Sequence, residues 1–155
     1  MKVTLICVGK TDEKYLTEGI ENYLKRLKFY INFRMITLPD IKNSKSLSPQ
    51  QQKEGELILK QIGAGDVVIL LDERGKEYRS IEFSSFLEKK MLASTQHLVF
   101  VIGGPYGFDV SIERRSNGKL SLSKMTFSHQ MIRLFFVEQL YRALSILRNE
   151  PYHHE

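Results

Sequence analysis

The stretch from His97 to Arg148 reads HLVFVIGGPYGFDVSIERRSNGKLSLSKMTFSHQMIRLFFVEQLYRALSILR, and it joins two short strand patterns to one long helical pattern. The apolar run 98–102 stops at a glycine pair, and the run 119–124 alternates leucine with serine. Two strand ends and a helix start therefore lie close together in the sequence. Ligands of open α/β sheets bind at such places, so this stretch predicts a ligand site.

The rest of the chain repeats the alternation of strand and helix patterns. Short β-rich runs predict strands at 2–8, 33–38, 66–72 and 97–103. Apolar residues at three- and four-residue spacing predict helices at 12–28, 48–62 and 80–93. This order, with nearly continuous apolar strands, predicts an α/β fold with a mostly parallel sheet and helices on both faces. The run 119–124, with its exposed-looking serines, is the one strand that could depart from the parallel pattern.

Local signals place the ends and faces of these helices. Thr11 or Asp12 is expected to cap the first helix, and Ser48 before Pro49 is expected to cap the second. The residues expected on the buried face of the first helix are Tyr15, Leu16, Ile20, Tyr23, Leu24 and Leu27. Those expected in the core from the last helix are Met131, Leu134, Phe135, Leu140, Leu144 and Leu147.

Length and composition bound the class of protein. A chain of 155 residues with 42% hydrophobic and 26% charged residues predicts one soluble domain, 1–155. Cys7 is the only cysteine, which excludes an internal disulfide and a cysteine-based zinc site, and its apolar surroundings predict a buried side chain. No apolar run approaches the roughly 18–20 residues of a membrane span, and no signal peptide is recognisable, so a cytoplasmic protein is expected.

The net charge of +5 is compatible with a nucleic-acid partner and equally with a solvated basic surface. The basic excess lies in the outer thirds of the chain. From residue 111 to the end there are seven Lys and Arg against four Asp and Glu, whereas residues 63–110 have five against seven.

Two glycine motifs resemble phosphate-binding loops but lack required residues. Gly9-Lys10-Thr11 has Thr4 where a P-loop needs a glycine, and the segment 103–107 has Ile102 at the first glycine of a dinucleotide fingerprint. A glycine pair after a strand still allows the backbone either to approach a ligand or to turn. The segment 72–75, Asp-Glu-Arg-Gly, predicts a charged turn.

Three further segments have a functional and a structural interpretation each. The segment 122–127, LSKMTF, is either a plain connection or a source of backbone groups for an adenine edge. His129 and Arg133 share a helix face, where a lone histidine is often structural. Glu138 and Arg142 predict a surface salt bridge. The tail 151–155 is either a disordered end or an arm that contacts substrate.

Together these residues resemble the RlmH family, small SPOUT-class methyltransferases of the bacterial ribosome. The resemblance covers essentially the whole chain. It lies in VTLICVGK, GIENYLKRL, KEGELIL, VILLDERGK, VFVIGGPYG, RSNGKLSLSKMTFSHQMIRLFFVEQLYRA and PYH. The combination of the IGG-P-x-G, LSLSKMT-F-x-H and PYH segments is specific, whereas each segment alone is not.

The resemblance implies a trefoil knot in the C-terminal part of the fold and a homodimer. It implies S-adenosylmethionine as cofactor, with no metal. The implied cofactor contacts are Leu71, Gly103, Leu122, Ser123, Lys124, Met125, Thr126 and Phe127. The implied reaction is methylation at N3 of a pseudouridine, position 1915 in helix 69 of 23S rRNA, in the assembled ribosome. His154 stands where the family commonly has arginine.

Because N3 of a uracil ring carries a proton, a base is expected at the site. His129 is the first candidate and His153 the second, and Arg133 could stabilise negative charge on the ring and contact RNA. The tail residues Tyr152, His153 and His154 are expected to contact RNA, with Tyr152 stacking on a base. Two alternatives stay open: a non-catalytic RNA- or ribosome-binding module, which would bind no cofactor, and a SPOUT methyltransferase that acts on tRNA.

Overall fold

The computed structural model describes residues 1–41 and 47–154. Five strands alternate with five helices along this part of the chain. In order they are β1 (Lys2–Val8), α1 (Lys14–Leu27), β2 (Asn32–Leu38), α2 (Leu47–Leu59), β3 (Val67–Glu77), α3 (Ser80–Leu92), β4 (His97–Ile102), α4 (Val110–Arg115), β5 (Gly118–Ser121) and α5 (Met131–Leu147).

The strands form one sheet in the order β2-β1-β4-β3-β5, and every neighbouring pair is parallel. The prediction of a parallel sheet is therefore confirmed. The expectation that the run 119–124 could depart from the pattern is wrong, because β5 pairs in parallel with β3 and Leu120 and Ser121 are buried. Since all strands point the same way, their carboxyl ends meet at one edge of the sheet.

Helices cover both faces of the sheet, as predicted. Apolar side chains of α1, α3 and α5 pack on one face in a single core, where the rings of Phe100 and Phe136 lie 4.8 Å apart. The second core, on the other face, includes Ile58 of α2 and Ile112 of α4. Burying β1 and β4 on both sides explains why their sequences are almost continuously apolar.

Strand β3 continues where the sequence predicted a charged turn. It runs through Asp72 to Glu77, and its pairing with β5 is interrupted between Leu71 and Lys76. The turn prediction for 72–75 is wrong because β5 lies against this extension. Gly75 has a packing reason to be glycine, since a Cβ there would lie 2.7 Å from the backbone of Leu120.

Helix α1 and the region after β4 differ in detail from the predictions. The N-cap position of α1 is Glu13, whose side chain makes no capping hydrogen bond, so the expectation of a cap at Thr11 or Asp12 is wrong, and the backbone N–H of Asp12 donates instead to Gln130 at 2.8 Å. Tyr15 is 59% exposed, so its assignment to the buried face is wrong. The short helix α4 was not predicted, although Asp109 caps it by accepting from the backbone N–H of Ser111.

Helix α2 begins at Leu47, before the predicted cap. The predicted capping side chain of Ser48 lies outside the described residues, and so does Glu155 of the tail. On α5, Phe135 is 42% exposed, so its assignment to the core is wrong. No helix in residues 1–41 and 47–154 is long and apolar enough to cross a membrane. The trefoil knot stays a prediction.

Candidate active site

A cavity of about 400 Å³ lies at the carboxyl ends of β4 and β5, beside β3. Its walls come from 71–74, where β3 passes the carboxyl end of β4, from 102–108 at and after the end of β4, and from the segment between Leu120 and Ile132. The volume is within the roughly 300–1,000 Å³ of small-molecule sites, and the carboxyl edge of a parallel sheet is where such sites form. The described residues include no group of three or more His, Cys, Asp or Glu side chains that could hold a metal ion.

The β3 wall carries an ionised carboxylate fixed by two cations. Asp72 accepts from the Nε of Arg74 at 3.1 Å and lies 3.3 Å from the Nζ of Lys119. Hydrogen bonding to Arg74 is the main reason that the pKa of Asp72 is lowered to about 2. Lys119 also contacts Glu113 at 2.7 Å, so this wall is a charge network and not a loose turn.

The segment 103–107 after β4, the glycine wall, combines the two features expected of a glycine pair, a tight turn and a backbone that a ligand can approach. A Cβ on Gly103 would lie 3.1 Å from the ring of Phe108 and 3.3 Å from the carbonyl oxygen of Gly107, so there is little room for a side chain. The backbone N–H of Gly107 donates to the carbonyl of Gly104 at 3.2 Å, and Gly107 has a φ of +81°. The segment is therefore a tight turn whose backbone is open to the cavity.

Helix α2 supports this turn from behind. A Cβ on Gly104 would lie 2.7 Å from a carboxylate oxygen of Glu54, a residue that is 3% exposed. Burial raises the pKa of Glu54. The side-chain amide of Gln51 donates to the carbonyl of Tyr106. The position of the glycine wall thus depends on α2 as well as on β4.

The segment 122–127 forms the third wall and is stabilised by its own hydroxyls. The Oγ of Ser123 accepts from the backbone N–H of Met125 at 3.0 Å, and the Oγ of Ser121 donates to the carbonyl of Ser123 at 2.7 Å. Thr126 donates to Glu73 at 2.5 Å, which ties this segment to β3. Lys124 does not line the cavity, and its Nζ lies 3.8 Å from Glu77.

The structure brings together seven of the eight predicted cofactor contacts. Those that line the cavity are Leu71, Gly103, Leu122, Ser123, Met125, Thr126 and Phe127. Apolar side chains, backbone groups and hydroxyls alternate around this wall. Such a lining is chemically suited to a ligand that combines a flat heterocycle with polar groups, as S-adenosylmethionine does.

The prediction that His129 and Arg133 share a helix face is wrong, because α5 begins at Met131 and His129 lies in the turn before it. His129 is half-buried and lines the cavity. Arg133 is fully buried and does not line it. The guanidinium of Arg133 donates to the carbonyls of Val8, Gly9 and His129 and to the hydroxyl of Thr11, at 2.7–3.0 Å. Arg133 therefore joins the start of α5 to the end of β1.

The tail packs against α1 and α5 of the same chain, away from the cavity. The hydroxyl of Tyr152 donates to Glu138 at 3.0 Å and lies 3.0 Å from the hydroxyl of Tyr23. Burial is the main reason that the pKa of Tyr152 is raised. The Nδ1 of His153 lies 3.3 Å from Arg142, whereas His154 is exposed.

The predicted salt bridge between Glu138 and Arg142 is present at 2.6 Å. Both side chains are largely shielded from solvent, and the guanidinium lies 4.7 Å from the ring centroid of Tyr152. The pair therefore anchors the tail and is not a simple surface contact.

Sequence reasoning missed three parts of this site: the charged wall of Asp72 and Glu73, the ring of Phe108, and the support by Glu54. The charged segment at the end of a buried strand was a usable signal. The support by α2 had no signal in the sequence, because it depends on the packing of a distant helix.

Comparison with known proteins gives full-length matches. The family described as "Predicted SPOUT methyltransferase" matches residues 1–153. A protein named ribosomal RNA large subunit methyltransferase H, from Parabacteroides distasonis, is 59% identical over the whole of both chains. Proteins of the same name from Flavobacterium johnsoniae and Porphyromonas gingivalis are 59% and 54% identical, again over the whole of both chains.

Proposed function

The chain belongs to the SPOUT methyltransferase family, and on that premise we propose that it transfers a methyl group from S-adenosylmethionine to the rRNA of the large ribosomal subunit. The acceptor that we propose is N3 of a pseudouridine in helix 69, position 1915 of 23S rRNA, in the assembled ribosome. The observation that carries this proposal is the cavity at the carboxyl edge of the sheet, because it gathers residues from three separate segments of the chain.

Each wall of the cavity has a distinct part in binding. The glycine turn at 103–104 admits the cofactor close to the backbone, and the segment 122–127 offers backbone N–H and C=O groups to the adenine and the methionine portion. When bound, S-adenosylmethionine supplies a methyl group already activated on a sulfonium. The task of the protein is to hold the acceptor nitrogen in line with that group, and positioning of this kind can supply up to roughly 7–11 kcal/mol.

His129 is the proposed base. It lines the cavity, and one of its ring nitrogens can accept the proton that leaves N3 of the substrate ring. Arg133 is proposed to act through His129, because its Nε donates to the carbonyl of that residue at 3.0 Å. Direct stabilisation of the ring by Arg133 would require it to leave four acceptors, two of them in buried hydrogen bonds, so a positioning role fits its surroundings better.

The tail is proposed to contact RNA as part of a homodimer in which it completes the cavity of the second subunit. Tyr152 and His153 lie against α5 and not at the cavity of their own chain, which supports an action on another subunit. An inactive His129 variant mixed with a Tyr152 and His153 tail variant should then regain part of the wild-type activity. Absence of any recovery after exchange of subunits would argue against this arrangement.

Calorimetric titration of S-adenosylmethionine into the purified protein tests the cofactor site. Gly103→Val should abolish binding, because a side chain there meets the ring of Phe108. Gly65→Val is the matched control, since nothing lies within 4 Å of a Cβ at Gly65, and it should bind as the wild type does. No binding to the wild type at millimolar cofactor would favour the non-catalytic RNA-binding module.

The role of His129 is tested by single-turnover methyl transfer on saturating ribosomes that lack the modification. His129→Ala should lower the rate by about 10²–10⁴-fold, the usual contribution of a general base. Affinity for S-adenosylmethionine should stay within a few-fold of the wild type. A normal single-turnover rate would remove His129 as the base.

A further inference from the structure

Glu73 lies in the part of β3 that extends beyond its pairing with β4, and it is one of the residues that line the cavity. Its Oε2 accepts from the hydroxyl of Thr126 at 2.5 Å. This bond crosses from β3 to the segment between β5 and α5, so it fixes the carboxylate beside residues proposed to hold the cofactor. Nothing in the proposed methyl transfer uses Glu73, although it is one of the few ionisable groups on the wall.

The other charged side chains near Glu73 form ion pairs with one another, so the negative charge of Glu73 is not balanced by them. Asp72 is paired with Arg74 at 3.1 Å and with Lys119 at 3.3 Å, and Lys119 also contacts Glu113. These four groups sum to zero. Within residues 1–41 and 47–154, Glu73 accepts the hydrogen bond from Thr126 and interacts electrostatically with Arg74, but the guanidinium of Arg74 is bound to Asp72 and no ion pair within 4.0 Å joins Glu73 to a cation. The cavity wall therefore carries one unbalanced negative charge.

We propose that Glu73 makes the cavity prefer the cationic methyl donor to its neutral product. This inference rests on the proposed function, since it takes S-adenosylmethionine as the ligand. The donor carries a positive sulfonium, and the product S-adenosylhomocysteine has a neutral thioether at the same place, while the rest of the two molecules is the same. A fixed negative charge nearby attracts the donor and leaves the product almost unaffected, which favours release of the product after transfer.

The expected size of the preference follows from the interaction of two unit charges. For any two opposite unit charges roughly 6–8 Å apart at a solvent-exposed site, the attraction corresponds to about a three- to ten-fold difference in affinity. Because Glu73 is exposed, salt should reduce this difference. A contribution from shape alone would not respond to salt in this way.

The test is a pair of calorimetric titrations, one with S-adenosylmethionine and one with S-adenosylhomocysteine, on four proteins. Glu73→Gln should lower the ratio of donor to product affinity by about three- to ten-fold through weaker donor binding. Glu73→Asp keeps the charge and should retain most of the ratio. Glu88→Gln is the matched control, because Glu88 is an exposed carboxylate on α3 that does not line the cavity, and it should keep the wild-type ratio.

Two results would overturn the proposal. An unchanged ratio in Glu73→Gln would show that the charge does not discriminate, and an equal loss of affinity for both ligands would show a purely structural role. Failure of the wild type to bind either ligand would instead contradict the proposed function, so the two failures are distinguishable. Raising the salt concentration should lower the wild-type ratio toward that of Glu73→Gln.

Discussion

Replacing Arg133 by methionine separates a structural role of this residue from a role in catalysis. Methionine keeps an unbranched apolar stem but removes the guanidinium. The change leaves the carbonyls of Val8, Gly9 and His129 and the hydroxyl of Thr11 without their donor. In the described structure the acceptors of Arg133 are these four oxygens, with no carboxylate among them.

The magnitude follows from the burial of these groups. Each hydrogen bond from a charged donor is worth about 1.5–3 kcal/mol, and the cost of burying the guanidinium offsets part of the sum. The net loss of unfolding free energy in Arg133→Met should be about 3–5 kcal/mol, because four neutral oxygens lose a charged donor and each one left unsatisfied costs about 1–3 kcal/mol. Arg133→Lys should lose less, because an ammonium can reach some of the same acceptors.

The assay is urea unfolding followed by far-ultraviolet circular dichroism at one fixed protein concentration. Arg114→Met is the matched control, because Arg114 is exposed on α4, and it should change the unfolding free energy by less than about 0.5 kcal/mol. A loss below about 1 kcal/mol in Arg133→Met would refute the structural role. It would return Arg133 to the candidates for direct contact with substrate.

Three further changes test other parts of the fold. Gly75→Ala should lower the unfolding free energy by about 2–3 kcal/mol, because its Cβ would lie 2.7 Å from the backbone of β5. The control Gly65→Ala should change the unfolding free energy by less than about 0.5 kcal/mol, since nothing lies within 4 Å of a Cβ there. Equal urea midpoints for the two variants would contradict the close packing at Gly75. Asp72→Asn should be destabilising at pH 7 by about 1–2 kcal/mol. The pKa of Asp72 is about 2 when folded and 3.8 ordinarily, so its contribution is present above about pH 4 and is lost as the pH falls toward 2. A difference between Asp72→Asn and the wild type that persists in acid unfolding at pH 2 would contradict this linkage. Cys7 is fully buried, and desolvation raises its pKa to about 12. A thiol reagent at pH 8 should therefore label the unfolded chain but not the folded one. Rapid labelling of the folded protein would contradict the burial of Cys7 in β1.

The parallel sheet could be predicted because its strands are buried on both faces and their apolar runs are therefore nearly unbroken. The prediction was wrong where a tertiary contact overrides a local preference. The segment 72–75 is polar and contains glycine, which favours a turn, but β5 lies across it and extends it as strand. Tyr15 follows the helical spacing of its neighbours and is nevertheless exposed.

For the candidate site as well, some residues could be predicted from the sequence and others could not. Gly103 and 122–127 were expected at the site because of the family resemblance, and all of them except Lys124 line the cavity. The roles of Arg133 and the tail could not be predicted, because each depends on which surface of a helix faces which neighbour. The spacing of His129 and Arg133 predicted a shared helix face, but α5 begins at Met131, so His129 precedes the helix and lines the cavity, whereas Arg133 reaches the end of β1.

Transfer of a labelled methyl group to ribosomes tests the central claim most directly. The protein would be incubated with methyl-labelled S-adenosylmethionine and either ribosomes that lack the modification or free tRNA, and the labelled nucleotide would be mapped. We expect label at N3 of a single pseudouridine in helix 69 of 23S rRNA, and none with Gly103→Val. Label in tRNA alone, or no label on ribosomes from a protein that binds the cofactor, would contradict the proposed function.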